Sequence, residues 1–523
     1  MSWDLERSKK RVAENDFNDF DIKVADLSRT MDFSNLGVRD VRRVQGAHIY
    51  VDVPNFHLAV DDAGGDKQKQ RKLLRASSVF LKVQGDLLKA LEVEHIQQQT
   101  ARLHALCYRP YDDNKGKGEA RRATLAVVTA ITMNSFVYDV FNVVFDDMRN
   151  LNSSAGIAAG ESYVANIGFH GERELISLGS PANLGAKIID QAKRNSITIT
   201  EAVYNVLPDC LKDHFTKSRV VHGTTTYQAV GLQWSVYPEL AKELGVVFKT
   251  EALITRTENY RDERPLAEMN ISEAIELIDI NALTERKSKR TSAAAIFADL
   301  DGFTKYVRDA EDNDRVASLV RVFHMIRAEF HKVIQTDYPG LVLQHQGDRV
   351  FAIIHLPSGD EFDKRCRKAV DIAIALQSSM EEVLNRHLGD RKDIHVAIGI
   401  DIGQTIITRL GKQGQREMIC LGRSVSSAEK LQLRSSGREI RVSAEIYDAL
   451  RDGVKKDRFK ETKEGDYVAT GITFPRLDSA EAEAAAKSNR IGAGVIGNRI
   501  AVITSHQQQQ QRFTGNTKPW SSK

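Results

Sequence analysis

The chain has 523 residues, too many for one ordinary domain and enough for two or three, and its 41% hydrophobic share supports buried cores. A net charge of +3, from 74 basic against 71 acidic side chains, leaves no footprint for nucleic acid. Four scattered cysteines (Cys107, Cys210, Cys366, Cys420) lack metal spacing, residues 1–7 hold no apolar leader, and no run of about 18 apolar residues stands out; the expectation is a cytoplasmic, disulfide-free protein that does not insert into a membrane.

Residues 1–45 mix charges with spaced apolar positions (Val12, Phe17, Phe20, Ile22, Val24, Leu27) and read as a helical extension. From there the chain repeats itself. His48-Ile-Tyr-Val-Asp-Val-Pro-Asn-Phe56 falls on Ala295-Ile-Phe-Ala-Asp-Leu-Asp-Gly-Phe303, so Asp52 meets Asp299 at an offset of 299 − 52 = 247. The same offset carries residues 96–105 onto 343–352 and Pro110 onto Pro357. Further on the offset becomes 243: Gly156 meets Gly399, residues 168–179 meet 411–422, and Tyr204 meets Tyr447. Chance does not hold register over such lengths. Two copies of one domain are expected at 46–245 and 291–478, joined by a charged linker, 246–290, with a helix over 272–283. Residues 479–523, with Gln507–Gln511, form a polar tail in which no function is legible. Each copy reads strand, helix, strand hairpin, helix, strand hairpin, then a helix and a last hairpin, which predicts an α+β fold with helices on one face of an antiparallel sheet.

The chemistry concentrates in the second copy. The apolar run Ile296-Phe297-Ala298 ends in Asp299, and Asp301-Gly302 turns the backbone. A second apolar hairpin, residues 341–354, bends at Gly347-Asp348. Two acidic turns on strands that lie side by side make a two-metal cradle. F-x-D-x-x-G-F-T followed by a G-D hairpin resembles the class III nucleotide cyclases, which make cyclic nucleotides from nucleoside triphosphates. The resemblance covers most of residues 46–478. It implies tandem ferredoxin-like domains forming a pseudo-dimer, and two divalent ions, Mn2+ or Mg2+, held by Asp299, Asp348 and the carbonyl of Leu300, with phosphates cradled by the amides of Gly302, Phe303 and Thr304.

A class III centre lies between two such domains, and here the faces are divided. The second copy keeps both metal positions, whereas the first has Asp52 but Ala101. The family's other face is a helix reading G-x-x-V-N-x-A-x-R. The first copy has Gly179-Ser-Pro-Ala-Asn-Leu-Gly-Ala-Lys187, placing Asn183 and Lys187 on one helix face at i, i+4. The second copy has Ser426 at the Asn position. The expected site is therefore single, with Asp299 and Asp348 facing Asn183 and Lys187. Lys for Arg replaces a two-pronged phosphate ligand by a point charge, so either activity is lower than in a typical member or a nearby Arg assists.

The residues at the family's base-reading positions are Gln97 and Ile176, which match neither the adenine-reading nor the guanine-reading sets. Tyr50 stands where the second copy has Phe297, and a bulky Tyr50 shortens the slot against a two-ring base. Gln97 has the donor and acceptor to bond a pyrimidine edge. With the degenerate tandem copy, these features resemble the pyrimidine cyclases of Pycsar antiphage systems. That implies UTP as substrate, cyclic UMP as messenger, and a separate effector protein that responds to it. Cyclic CMP production, an ordinary purine cyclase and a catalytically dead nucleotide sensor remain open on these residues; the G-G-[DE]-E-F turn of diguanylate cyclases is missing. The sequence also leaves open whether the copies pair within one chain or swap in a homodimer.

Overall fold

A computed structural model describes residues 2–16, 21–27, 33–37, 39–99, 101–110, 117–169, 172–355, 362–389, 393–411 and 417–482. The polar tail beyond 482, Pro357 and parts of the repeat at 170–171 and 412–416 lie outside these residues.

The chain opens with α1 (Leu5–Glu14) and β1 (Lys23–Asp26). The first half continues with β2 (Asp40–Asp52), α2 (Phe56–Ala63), α3 (Lys67–Ala90), β3 (Glu94–Gln99), β4 (Arg102–Cys107), α4 (Lys117–Ser135), a π-helical turn (Phe136–Phe141) and α5 (Asn142–Val144). It then runs through β5 (Ser154–Phe169), β6 (Glu172–Leu178), α6 (Ser180–Ile189), β7 (Ser196–Thr200), α7 (Glu201–Val206), α8 (Asp209–Lys212), β8 (Thr216–Val221), β9 (Thr224–Val230) and α9 (Pro238–Glu243). After α10 (Thr250–Asp262) and β10 (Ile271–Glu273), the second half has β11 (Ser288–Asp301), α11 (Phe303–Asp312), α12 (Val316–Lys332), β12 (Leu341–Gln346), β13 (Arg349–Ile354) and α13 (Phe362–Glu382). It closes with β14 (His395–Leu410), β15 (Glu417–Leu421), α14 (Arg423–Arg434), β16 (Glu439–Val442), α15 (Ala444–Asp448), β17 (Lys460–Glu461) and β18 (Tyr467–Thr470).

The internal repeat is a structural repeat. One sheet has the order β3-β4-β2-β5-β7-β9-β8 and the other β12-β13-β11-β14-β16-β18-β17, each with two further strands paired at matching places. The sheets are mixed rather than purely antiparallel: β5 and β7 are parallel, as are β14 and β16, because α6 and α14 cross over between them. The repeated glycines have a physical reason. A Cβ on Gly156 would lie 2.9 Å from the Gly185 carbonyl oxygen, and one on Gly399 would overlap the Ala428 carbonyl and the Gln432 amide. Only glycine lets each crossover helix lie directly on its strand.

The two halves dock within one chain. The β5–β6 hairpin packs Ile167, Ile176 and Leu178 into the core of the second half beside Phe323 and Ile326. Reciprocally, Ile406, Leu410, Ile419 and Leu421 of the β14–β15 region pack against α3 and the π turn of the first half. Two hydrogen bonds repeat the relation at the seam: Gln97 donates its side-chain amide to the His345 carbonyl, and Gln344 donates to the Gln98 carbonyl at 3.2 Å.

Three local expectations change. Residues 272–283 are not a helix but β10 and a 3-10 turn, Ile280–Ala282, because Ile271–Glu273 pairs in parallel with the start of β11. The extension up to residue 45 is not helical throughout: β1 joins the first sheet, β2 begins at Asp40, and α1 docks on the second half. Its anchor is Arg11, which bonds Glu329 at 2.7 and 2.9 Å and Asp337 at 2.8 and 3.0 Å. Finally, contrary to the expectation of no such run, Gly118–Val144 is long and apolar enough by composition to cross a membrane; 78% of its most apolar stretch is buried, packed inside the first half as a core helix.

Candidate active site

Strand pairing sets the acidic cradle. Asp299 near the end of β11 is opposite Arg349 at the start of β13, so Asp348, the preceding turn residue, comes up beside it. Gly347 takes φ +68°, a conformation that suits glycine, and closes this tight hairpin. The proximity registers electrostatically. Burial first, and then the Asp299 charge, pushes the Asp348 carboxyl up to about 8. Burial also raises Asp299, while Arg349, with its Nε 3.8 Å away, pulls it back. Two partly buried carboxylates whose proton affinity is raised by burial, Asp348 also by the Asp299 charge, are a donor set short of positive charge, and a divalent cation fits it. No group of three or more His, Cys, Asp or Glu that could hold an ion occurs among the described residues, so backbone carbonyls and substrate phosphates would complete the shell.

The turn after β11 fits the phosphate reading. Gly302 takes φ +89°, and a Cβ there would lie 2.6 Å from the Asp393 carbonyl. It caps α11 without any side-chain hydrogen bond to the first-turn amides. Phe303 has only its backbone to offer a ligand, since its ring is buried against Phe323 at 4.7 Å, and Leu300 is likewise 3% exposed.

α6 brings Lys187 to this cradle from the first half, and Asn183 stands one turn earlier on the same helix. Gly179 precedes the helix and Pro181 lies in its first turn, where a missing N–H is harmless. Lys187 is half-buried; burial lowers its pKa, opposed chiefly by Asp348 and also by Asp190 and Asp299. The ammonium therefore feels both cradle carboxylates across the interface. Tyr50 lies under α6, buried, its ring 3.0 Å from where a Gly185 Cβ would be and stacked on His104 at 4.2 Å. Asp348 is among the charges acting on it, after burial and the Arg102 charge. The other two expected base readers sit differently. Ile176 is 4% exposed in the apolar interface cluster, and Gln97 is engaged with His345.

Several groups escaped the sequence reading. Arg308 and Glu311 follow the expected Thr304 at i+4 and i+7 on α11, the spacing of one helix face. Arg308 acts on Lys187, and both act on His222 at the β8–β9 turn, whose pKa falls mainly through the Lys187 charge. Lys187 and Arg308 thus gather positive charge at the interface, a field that disfavours protonation of His222. Behind the hairpin, buried Arg327 donates to the Gly347 carbonyl at 2.7 Å and to Glu174 at 3.3 Å. The i, i+4, i+7 pattern after the motif was readable; the strand-to-helix contacts were not.

The degenerate counterpart keeps the architecture without the donors. Asp52 pairs with Arg102 at 3.5 Å, and Arg102 with Asp190 at 2.8 Å, beside Ala101. Phe297 stacks on Phe351 at 4.4 Å where the first half has Tyr50 on His104.

Comparison with known proteins agrees with this geometry. Residues 286–476 match the adenylate and guanylate cyclase catalytic domain. A Pseudomonas aeruginosa protein named uridylate cyclase is 28% identical over 98% of this chain and 97% of its own. Another of that name, from a Rhizobium species, is 24% identical over 74% of this chain and 75% of its own. The crystal structure of a class III adenylyl cyclase-like ATP-binding protein from Pseudomonas aeruginosa superposes with a TM-score of 0.77 at 25% identity, covering 92% of this chain and 99% of that one. Two halves of one fold dock in one chain, the half that carries both acidic turns is an adenylate and guanylate cyclase catalytic domain over residues 286–476, and the chain is similar over nearly its whole length to a uridylate cyclase.

Proposed function

We propose that the chain is a uridylate cyclase that converts UTP to 3′,5′-cyclic UMP and pyrophosphate. The observation that carries this reading is the division of groups across one interface, with Asp299 and Asp348 on the second half meeting Lys187 on the first. The name of the whole-length relative and the bulk of Tyr50 under α6 support a pyrimidine substrate.

In this reading the ribose 3′-oxygen attacks the α-phosphorus, the 3′-hydroxyl proton leaves to solvent and pyrophosphate departs. Asp299 and Asp348 would hold divalent ions, which when bound would supply the charge that acidifies the 3′-hydroxyl and neutralises the leaving group. Asn183 orients the ribose, and Lys187 stabilises charge on the α-phosphoryl oxygens. Arg308 is the guanidinium that compensates for Lys at the family's Arg position. The uncapped amides of α11 take phosphate oxygens. Tyr50 closes the base slot, while Gln97, bonded to His345, supports its wall. The product acts as a messenger for an antiphage Pycsar effector in the cytoplasm.

Incubating the protein with ATP, GTP, CTP and UTP in the presence of manganese, and identifying products by mass, tests the assignment. Cyclic UMP as the main product is expected. Cyclic CMP as the main product moves the reading to cytosine, a cyclic purine refutes the pyrimidine slot, and no product favours a sensor.

A further inference from the structure

Glu311 lies on α11, in the half that carries the acidic turns, yet its carboxylate reaches the other half. It accepts from the Ser180 amide at 3.2 and 3.3 Å and from the Ser180 hydroxyl at 2.7 Å. Ser180 is the first residue of α6, the helix of Asn183 and Lys187. A first-turn amide has no partner within its own helix, and a carboxylate there satisfies it while facing the positive end of the helix dipole. The backbone makes room for the contact: Gly179 has φ +145°, and a Cβ there would lie 3.0 Å from Glu311 Oε1 and 3.1 Å from the Ser162 Cα.

The pseudo-symmetric place shows what happens without this contact. The repeat puts Gly64 where the second half has Glu311 (311 − 247 = 64). There α2 stops, Gly64 turns at φ +45°, and the start of α14 faces an open cleft of about 840 Å3 lined by Gly64, Gly65, Gly422 and Arg423. So a carboxylate spans the interface on the side that holds the acidic turns and the polar helix, and glycine replaces it on the degenerate side.

We infer that Glu311 is a positioning residue: it latches the N-terminus of α6 to α11 and so sets the gap between Lys187 and the cradle of Asp299 and Asp348. The inference rests on the cyclase reading above. α11 starts at the phosphate-facing turn and α6 starts at Ser180, so one hydrogen-bonded contact fixes two catalytic elements relative to each other. Because the latch acts on geometry rather than on substrate, its loss lowers kcat more than it raises KM.

The test uses the full-length protein with UTP and manganese and compares Glu311→Ala, Glu311→Gln, Ser180→Ala and the Glu311→Ala/Ser180→Ala double variant, with Asp312→Asn as a charge control on the same helix. Glu311→Ala is expected to lower kcat roughly 10- to 100-fold, the scale of a small misplacement of catalytic groups. Glu311→Gln, whose carboxamide oxygen still accepts the Ser180 hydroxyl, recovers much of that loss. The double variant falls no further than Glu311→Ala, as expected for partners in one contact. Additive losses, kcat unchanged in Glu311→Ala, or a kcat loss equal to that of Asp312→Asn would overturn the latch. Should Glu311→Ala not fold, Glu311→Gln with a kcat and KM no different from Ser180→Ala decides in its place: a shared, modest kcat loss supports the contact and wild-type values refute it. Asp299→Ala and Asn183→Ala run alongside separate the two readings. If they keep activity, the site assignment fails; if they lose it and the Glu311 series does not, only the latch fails.

Discussion

Replacing Asp348 with Asn should raise the stability of the metal-free protein while abolishing catalysis. Burial and Asp299 push the Asp348 carboxyl from 3.8 up to about 8, and the two acids titrate as a pair. A carboxyl raised on folding binds its proton more tightly in the native state. Its contribution to stability is whole below pH 3.8 and is lost as pH rises toward 8. At about 1.4 kcal/mol per unit, the four-unit shift sets a ceiling of about 6 kcal/mol. The turn is partly open to solvent, which screens the penalty to about 1–3 kcal/mol. Thermal melting of the metal-free protein at pH 8.5 should therefore place Asp348→Asn about 2–6 °C above the wild type, with the gap narrowed at pH 5 and closed only below pH 3.8, where the unfolded chain is protonated too. Manganese should raise the melting temperature of the wild type at pH 8.5 and that of the variant far less. A variant that melts lower at pH 8.5, or whose gain is the same at both pH values, would refute the electrostatic account of the cradle.

Other substitutions probe the remaining parts. Lys187→Ala should lower kcat roughly 100- to 1,000-fold, as loss of one transition-state donor does, and Lys187→Arg should retain activity; steady-state kinetics with UTP checks both. Tyr50→Ala should narrow the preference for UTP over ATP by about 10- to 200-fold, measured as a ratio of kcat/KM, because it removes the bulk that closes the slot. Arg11→Ala leaves Glu329, about 1% exposed at the side chain, buried without its cation, while Arg7 still pairs with Asp337 at 3.0 Å, and should cost about 3–5 kcal/mol in urea unfolding.

What was legible in the sequence follows from what is local. The Asp299 strand, its Gly302 turn and the Gly347-Asp348 hairpin are short-range patterns, and the structure builds β11, α11 and the β12–β13 turn from them. The repeat offset, invisible to any propensity, gave the matching sheet orders, because glycines such as Gly156 and Gly399 answer the same steric demand twice. Residues 272–283 misled because their apolar spacing suits a helix, while the edge of β11 offers the backbone a better set of partners. Gln97 shows the limit of carrying roles by position. Its side chain reaches across the seam to a carbonyl, a contact set by docking and mirrored by Gln344. The contacts of Glu311 and Arg327 were unreadable for the same reason, since their partners Ser180 and Glu174 lie well over 100 residues away in sequence and come close only when the halves meet.

The claim on which the account depends is that one interface works and its mirror does not. The rate of cyclic nucleotide formation, measured side by side in Asp299→Ala, Asn183→Ala, Asp52→Asn and Ser426→Ala, tests it most directly. The account predicts near-total loss in the first two and near wild-type rates in the last two. Activity that survives in Asp299→Ala but vanishes in Asp52→Asn would contradict it.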